Sequence, residues 1–325
     1  MGVLKNLKNI RSIYCNRKEI KMVQINNKIV YQSDEIDSTY NYFVFRIYPW
    51  GGDSATITLS KHRAGDETEW DGLTDWGDGT IDSESSHTYT DLEYTTTHTF
   101  NIKTKWMINK GFSGDYATKN QLIACNNVNK NIADATYLFY GCSRLKSVDL
   151  TRFKAKNVTD MSYMFSGCTS LETVNMRGCN TSNVTNMKRM FYNCRKLVTE
   201  VSHLNVSKVT DMGSMFYGCE NIDGSQFKNW DVSNVTNMAS MFYYSHTTNC
   251  LDLSGWDVSD VNSFSYMFYY CSANDGFDIS GWNINNSAYV TSMFTHTSCS
   301  TCNNIEHHVK HTGVPTVDWN KMTGK

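Results

Sequence analysis

The 325-residue sequence has only two prolines, no long apolar run and almost no net charge, with a formal balance of -2. Without a stretch of about 18 apolar residues, no membrane-spanning helix is expected. The amino terminus, MGVLKNLKNIRSIYC, lacks the apolar stretch of about 7 to 15 residues found in a secretory signal, so no such leader is expected. Low net charge with abundant Asn, Ser, Thr and Tyr describes a globular chain and argues against a general nucleic-acid binder. No P-loop, G-x-S-x-G, H-E-x-x-H or dinucleotide fingerprint occurs, so neither an enzyme nor a cofactor is expected.

Charge is uneven along the chain. Residues 1 to 32 carry seven Lys or Arg against one Glu, whereas residues 33 to 108 carry five against fourteen acids. A basic amino-terminal segment of this kind suits either an acidic partner or plain solvation.

What the chain does have is a period. A Leu-Phe or Met-Phe pair ends at Phe139, Phe165, Phe191, Phe216, Phe242, Phe268 and Phe294, in steps of 26, 26, 25, 26, 26 and 26 residues. Fixed self-similarity of this length signals stacked repeats. Fifteen residues before each of the last six Phe stand Leu150, Met176, Val201, Phe227, Leu253 and Ile279, and two positions earlier Val148, Val174, Thr199, Ser225, Leu251 and Phe277. The residue between is polar, and this alternation predicts a short strand in each repeat.

Met161, Met164 and Phe165 then fall at i, i+3 and i+4, which predicts a short helix capped by Thr159 or Asp160. Two further columns run Phe153, Cys179, Leu204, Trp230, Trp256, Trp282 and, two residues on, Ala155, Thr181, Val206, Val232, Val258, Ile284. Such columns are buried only if each unit stacks on the next, so seven units form a solenoid about 30 Å long at the ~4.8 Å strand spacing.

Eleven cysteines is an odd number. Cys142, Cys168, Cys194, Cys219 and Cys271 share one slot with Ser245 and Thr297, which predicts small buried thiols and not a disulfide framework.

The phrase W-D-V-S-N-V-T-N-M-x-x-M-F, Trp230 to Phe242, varies through every unit and resembles the leucine-rich-repeat-like surface repeat of the BspA family, over about residues 131 to 294. That resemblance implies an adhesive solenoid. WGDGT at 76 to 80, with HTY at 87 to 89 and HTFNIK at 98 to 103, resembles the PKD domain, which implies a non-catalytic immunoglobulin-like sandwich. Asp75, Asp78 and Asp82 there do not have the spacing of an EF-hand loop. Residues 10 to 31 read as three short strands with turns at Asn16 to Lys18 and Asn26-Asn27, and look like the ribbon that opens many bacteriophage structural proteins.

The expected fold is therefore mainly β with short helices. It comprises a β-ribbon over 1–36, a PKD-like sandwich over 37–110, a leucine-rich-repeat-like α/β solenoid over 111–298 and a terminal cap over 299–325. The expected role is non-enzymatic: a bacteriophage surface protein, in tail, baseplate or head. The ribbon would dock on other virion proteins and the solenoid would meet a host-surface protein or glycan. A bacterial cell-surface adhesin is the alternative, and a homo-oligomer is compatible with either.

Three sets of residues are candidates for binding. The position after Phe holds Tyr192, Tyr217, Tyr243 and Tyr269, with Tyr244 and Tyr270 beside them, offering stacking planes or simply closing the core. The strand-centre row, Asp149, Asn175, Glu200, Gln226, Asp252 and Asp278, alternates acid and amide over its first four rungs on an expected solvated face. Cys299, Cys302, His307 and His311 form C-x2-C-x4-H-x3-H, which suits tetrahedral zinc and resembles a zinc knuckle; the favoured reading is a polar cap with no metal.

Overall fold

The computed structural model describes residues 12–15, 18–25, 28–31, 41–47, 54–58, 61–62, 74–82, 84, 86–90, 92, 98–104, 107–108, 122–126, and 135–299 except 152, 154, 275 and 280. It divides into two compact units, Met1–Thr39 and Tyr40–Lys325. In the first unit, β1 (Ser12–Cys15), β2 (Lys18–Ile25) and β3 (Lys28–Tyr31) form an antiparallel sheet in the order β1-β2-β3.

The second unit opens with β4 (Asn41–Ile47), β5 (Ala55–Thr58), β6 (Lys61–His62), β7 (Thr74–Asp75), β8 (Ile81–Asp82), β9 (Ser86–Tyr89), β10 (His98–Thr104) and β11 (Met107–Ile108). Between β7 and β8 the chain reverses over Trp76–Thr80, closed by Trp76 N–H donating to the Thr80 carbonyl at 3.0 Å. Gly77 and Gly79 take φ of 82° and 101°, which glycine alone adopts freely. Asp75 and Asp78 accept the N–H groups of Gly77 and Thr80, both at 2.9 Å, and Asp78 also meets His87 Nε2 at 2.7 Å. Those carboxylates therefore fix the turn.

Next comes β12 (Leu122–Asn126), which pairs antiparallel with β4 on one side and parallel with β13 (Ser147–Asp149) on the other. With β14 (Thr173–Asn175) added, one sheet runs β14-β13-β12-β4-β10-β7-β8. The two stretches expected as separate domains thus share a continuous sheet. They also share a continuous core, which joins Phe43, Trp76, Tyr89, Ile102 and Leu122 to the repeat columns.

From Ala135 onward, successive repeats lie directly upon one another. The Phe column is buried throughout, with consecutive rings stacked at centroid distances of 5.0 to 5.9 Å. Trp230, Trp256 and Trp282 stack likewise, and Trp256 and Trp282 donate Nε1–H to the carbonyls of Phe227 and Leu253 at 2.9 and 2.8 Å. The column that shares Cys with Ser and Thr has a chemical reason. Sγ of Cys168, Cys194 and Cys219 donates to the carbonyl of the preceding repeat's Phe at 3.0 to 3.1 Å, and Ser245 and Thr297 hydroxyls do the same at 2.6 and 2.7 Å. The slot selects a small side chain with one donor. Cys125, Cys179 and Cys250 and the slot cysteines from Cys142 to Cys271 are free, and burial holds the Cys168, Cys194, Cys219 and Cys271 thiols well above their ordinary pKa.

Two secondary-structure expectations are corrected. No α-helix occurs among the described residues; the only helices are 3-10 turns at Ala155–Asn157 and Gly224–Phe227. The Met161–Phe165 segment is a run of tight turns. Met164, Ser166 and Cys168 donate back three residues within the repeat, while Met161, Tyr163, Phe165 and Gly167 donate to Asn186, Lys188, Met190 and Tyr192 of the next. Turning alternate N–H groups along the stack requires left-handed residues, and each repeat has two of them. These are the positions two before Phe (Tyr163, φ 58°; Ser240, φ 57°) and two after it (Gly167, φ 80°; Tyr244, φ 51°).

The strand is present at β13, β14, β16 (Leu251–Asp252) and β18 (Phe277–Asp278). It is absent at Thr199–Val201, and Ser225–Phe227 lies in a 3-10 helix because Asp223 accepts Ser225 N–H at 3.0 Å and starts a turn. A second parallel ladder of β15 (His246–Thr247), β17 (Ser272–Ala273) and β19 (Ser298–Cys299) appears in the last three repeats.

Candidate binding face

The left-handed turns decide what the tyrosines present. Tyr192, Tyr217, Tyr243 and Tyr269 form one file, each ring stacked on the next at 4.4, 4.6 and 4.8 Å with interplanar angles of 21°, 6° and 17°. Beside it Tyr244, Tyr270 and His296 form a second file at 4.8 and 4.3 Å. Tyr244, Tyr270 and His296 are exposed, and the first file is half-buried. Because neighbouring rings cover one another's faces, the interior of a file offers edges and hydroxyls. This differs from the stacking planes expected from the sequence, and the reason is that coil spacing matches ring-stacking distance.

Sequence reasoning missed the residues two positions before Phe. Tyr137 stacks on Tyr163 at 4.7 Å, and the Arg189 guanidinium lies 5.5 Å from the Tyr163 ring and 5.2 Å from Tyr192. Tyr266 meets Tyr269 edge-on at 5.6 Å. On a helix these residues would stand i, i+3 from the post-Phe tyrosines, so either conformation puts both positions on one face. The left-handed turns keep both positions on one surface, and the 26-residue spacing of Tyr137, Tyr163 and Arg189 was the available signal.

Burial, followed by the neighbouring phenols, raises the pKa of Tyr217 to about 12 and shifts those of Tyr243 and Tyr269 upward. These three phenols are therefore neutral donors over the physiological range. A phenol whose folded pKa lies above its ordinary value of about 10 contributes stability that is complete below about pH 10 and lost as pH rises through the folded value. Melting temperature is expected to fall between pH 10 and about 12, with a shallower fall in Tyr217→Phe. Absorbance titration of phenolate showing every tyrosine at its ordinary pKa, with no difference between the proteins, is the contrary result.

The strand-centre row is largely occupied by its own chain. Asp149 and Asn175 accept the N–H groups of Thr151 and Arg177 at 2.9 and 3.3 Å, and Asp252 accepts Ser254 N–H at 3.1 Å. Glu200 pairs with Arg177 of the preceding repeat and Asp252 with Lys228 at 2.7 Å, holding both carboxyls below their ordinary pKa. Gln226 accepts Val201 N–H, and Asp278 is half-buried at the end of β18. The row does not behave as a uniform solvated face.

A further row, of which the sequence marked only Asp160, also joins the repeats. Asp160, Asn186, Asp211, Asn237 and Ser263 bridge in parallel from repeat to repeat. The first four each accept the N–H two residues on, at 2.7, 3.0, 2.8 and 3.0 Å, which is the capping role expected of Asp160, served on a turn. Asn186 and Asn237 also donate to Asp160 and Asp211, both at 2.9 Å. Of the Cys/His cluster, Cys302, His307, His311 and the Cys299 side chain lie outside the described residues. No group of metal-ligating side chains occurs among the described residues, and no described helix is long and apolar enough to cross a membrane.

Comparison with known proteins gives one match. The family model described as Mycoplasma protein of unknown function, DUF285, matches residues 107–226 and 198–308. No curated protein and no solved structure matches. Both family matches fall on the segment whose successive repeats stack on β12 and β13, and together they span more than half of the chain. The chain belongs to the DUF285 family.

Proposed function

We propose that the chain is a non-enzymatic adhesion protein. Its repeats form a leucine-rich-repeat-like solenoid, and its immunoglobulin-like, PKD-like segment is a spacer spliced to that solenoid through β12. The observation that carries this reading is the pair of aromatic files on one edge of the repeats. Where three earlier repeats have Gly141, Gly167 and Gly218, the last three have Tyr244, Tyr270 and His296, still left-handed at φ of 51°, 51° and 57°. A side chain in that conformation costs about 1 to 2 kcal/mol, so the aromatics are kept against a local penalty. A ligand that uses the surface accounts for them.

The setting of this role is a virion surface, where the basic ribbon of β1 to β3 docks on other virion proteins and the repeats meet a host protein or glycan. A bacterial cell-surface adhesin is the second reading, favoured by the description of the matching family as a Mycoplasma protein. Immunogold electron microscopy, with antibody against the repeats, separates the two. Label on purified particles supports the virion setting, and label confined to the cell envelope supports the bacterial one. Label on neither overturns the surface role.

A further inference from the structure

Arg189 is out of keeping with its surroundings. It occupies the left-handed position two before Phe, at φ 54°, where the next two repeats have Ser214 and Ser240. Its guanidinium lies between the rings of Tyr163 and Tyr192. Its single described hydrogen bond, to the Tyr163 hydroxyl, is long at 3.4 Å, and its Nε is buried with no partner. Arg177, Lys188, Arg195 and Lys228 each have a carboxylate within 4.0 Å, whereas none of the described carboxylates lies that close to Arg189. A buried donor without an acceptor and a cation without a counter-ion are both unfavourable in isolation.

We infer that the aromatic face binds an anionic polysaccharide, with Arg189 receiving a carboxylate or sulfate group and the phenol hydroxyls of the adjoining file holding the sugar chain. A guanidinium stacked between rings is weakly hydrated and keeps its fork of donors, which matches the planar oxygens of such anions. The ring centroids from Tyr192 to Tyr269 advance by 4.4 to 4.8 Å per rung. An extended peptide presents like-facing side chains about every 6.8 Å and falls out of step with that spacing. The neutral, proton-rich edges of the tyrosines add no repulsion toward an anion.

This inference rests on the adhesion reading and adds the charge and class of the ligand. The test is affinity electrophoresis of the full chain in gels containing polygalacturonate, dextran sulfate, neutral dextran or poly-glutamate, at low and moderate salt. Arg189→Ser copies the residue that the next repeat already carries at this position, so its fold is expected to persist. Circular dichroism checks this.

Retardation by polygalacturonate or dextran sulfate, weakened about tenfold or more in Arg189→Ser, is the expected result, and the responsive polymer identifies the anion. Equal retardation of both proteins by an anionic polymer, or retardation by neutral dextran alone, overturns the role of Arg189 and leaves adhesion standing. Poly-glutamate retarding the protein with the same dependence on Arg189 overturns the polysaccharide class. No retardation by any polymer, together with immunogold label on neither surface, removes both readings; no retardation with surface label removes this one alone.

Discussion

Replacing Met238 and Phe242 together by Ala is expected to destabilise the protein by about 4 to 10 kcal/mol, enough to unfold the repeats at ordinary temperature. Both side chains are fully buried. Phe242 is stacked between Phe216 and Phe268 at 5.8 and 5.9 Å and meets Phe227 edge-on at 5.3 Å, so its removal empties a rung from an otherwise unbroken column. Neighbouring rungs cannot close the gap, because their positions are set by the hydrogen bonds from Met238, Ser240, Phe242 and Tyr244 to the following repeat. In a stack stabilised by contacts between neighbours, a defect in the middle weakens the repeats on both sides. Thermal melting decides the matter: a melting temperature equal to that of the parent protein would refute the column assignment.

Gly281→Ala is expected to be the most damaging single-methyl change. A Cβ at Gly281 would stand 2.1 Å from the Ser254 carbonyl oxygen and 3.2 Å from its carbon, so two repeats would have to separate at a point where Trp282 is anchored to Leu253. Backbone, unlike the end of a flexible side chain, cannot step aside cheaply, and a loss of about 3 kcal/mol is expected. Gly255, the equivalent position one repeat earlier, leaves 3.0 Å to the Lys228 carbonyl, and Gly255→Ala is expected to lose clearly less. Urea midpoints that rank the two variants equally would show that the repeats yield more readily than their packing implies.

Much of the fold is legible because burial repeats. Phe165, Met161, Leu150 and Trp256 stand at fixed intervals because each packs on its counterpart, and a period of 26 residues needs no knowledge of the backbone. The conformation of the Met-x-x-Met-Phe segment was hidden for a definite reason. Two successive tight turns send residues 161, 164 and 165 inward just as one helical turn would, so the apolar spacing does not distinguish them. Glycine at 141, 167 and 218 is the discriminating mark, and its replacement by Tyr244 and Tyr270 in later repeats masks it.

The candidate face was legible in part for the same reason. The post-Phe tyrosines stand out by their period, whereas Arg189 shares its slot with Tyr137, Tyr163, Ser214 and Ser240, so no single residue type marks that column. Acid–amide alternation was noticed in the strand-centre row, yet the row in which amides donate to acids across repeats is the one through Asp160, whose residues read from the sequence as mere caps. The continuity of the sheet from β4 and β10 into the repeats was not legible at all, since β12 carries no sign that its two edges pair in opposite senses.

That Asp160 row limits how such a chain can lengthen. A repeat bearing Asn at this position can be copied singly, because an amide both donates and accepts and can sit beside either neighbour. A repeat bearing Asp is copied only at a cost, since two carboxylates on adjacent rungs have no donor between them, although Asp134 and Asp160 already hold this slot in successive units. Where Asp160, Asn186, Asp211 and Asn237 alternate, an Asp-bearing and an Asn-bearing unit copied together keep a donor beside each acceptor, which makes the pair the favoured increment of growth for that stretch.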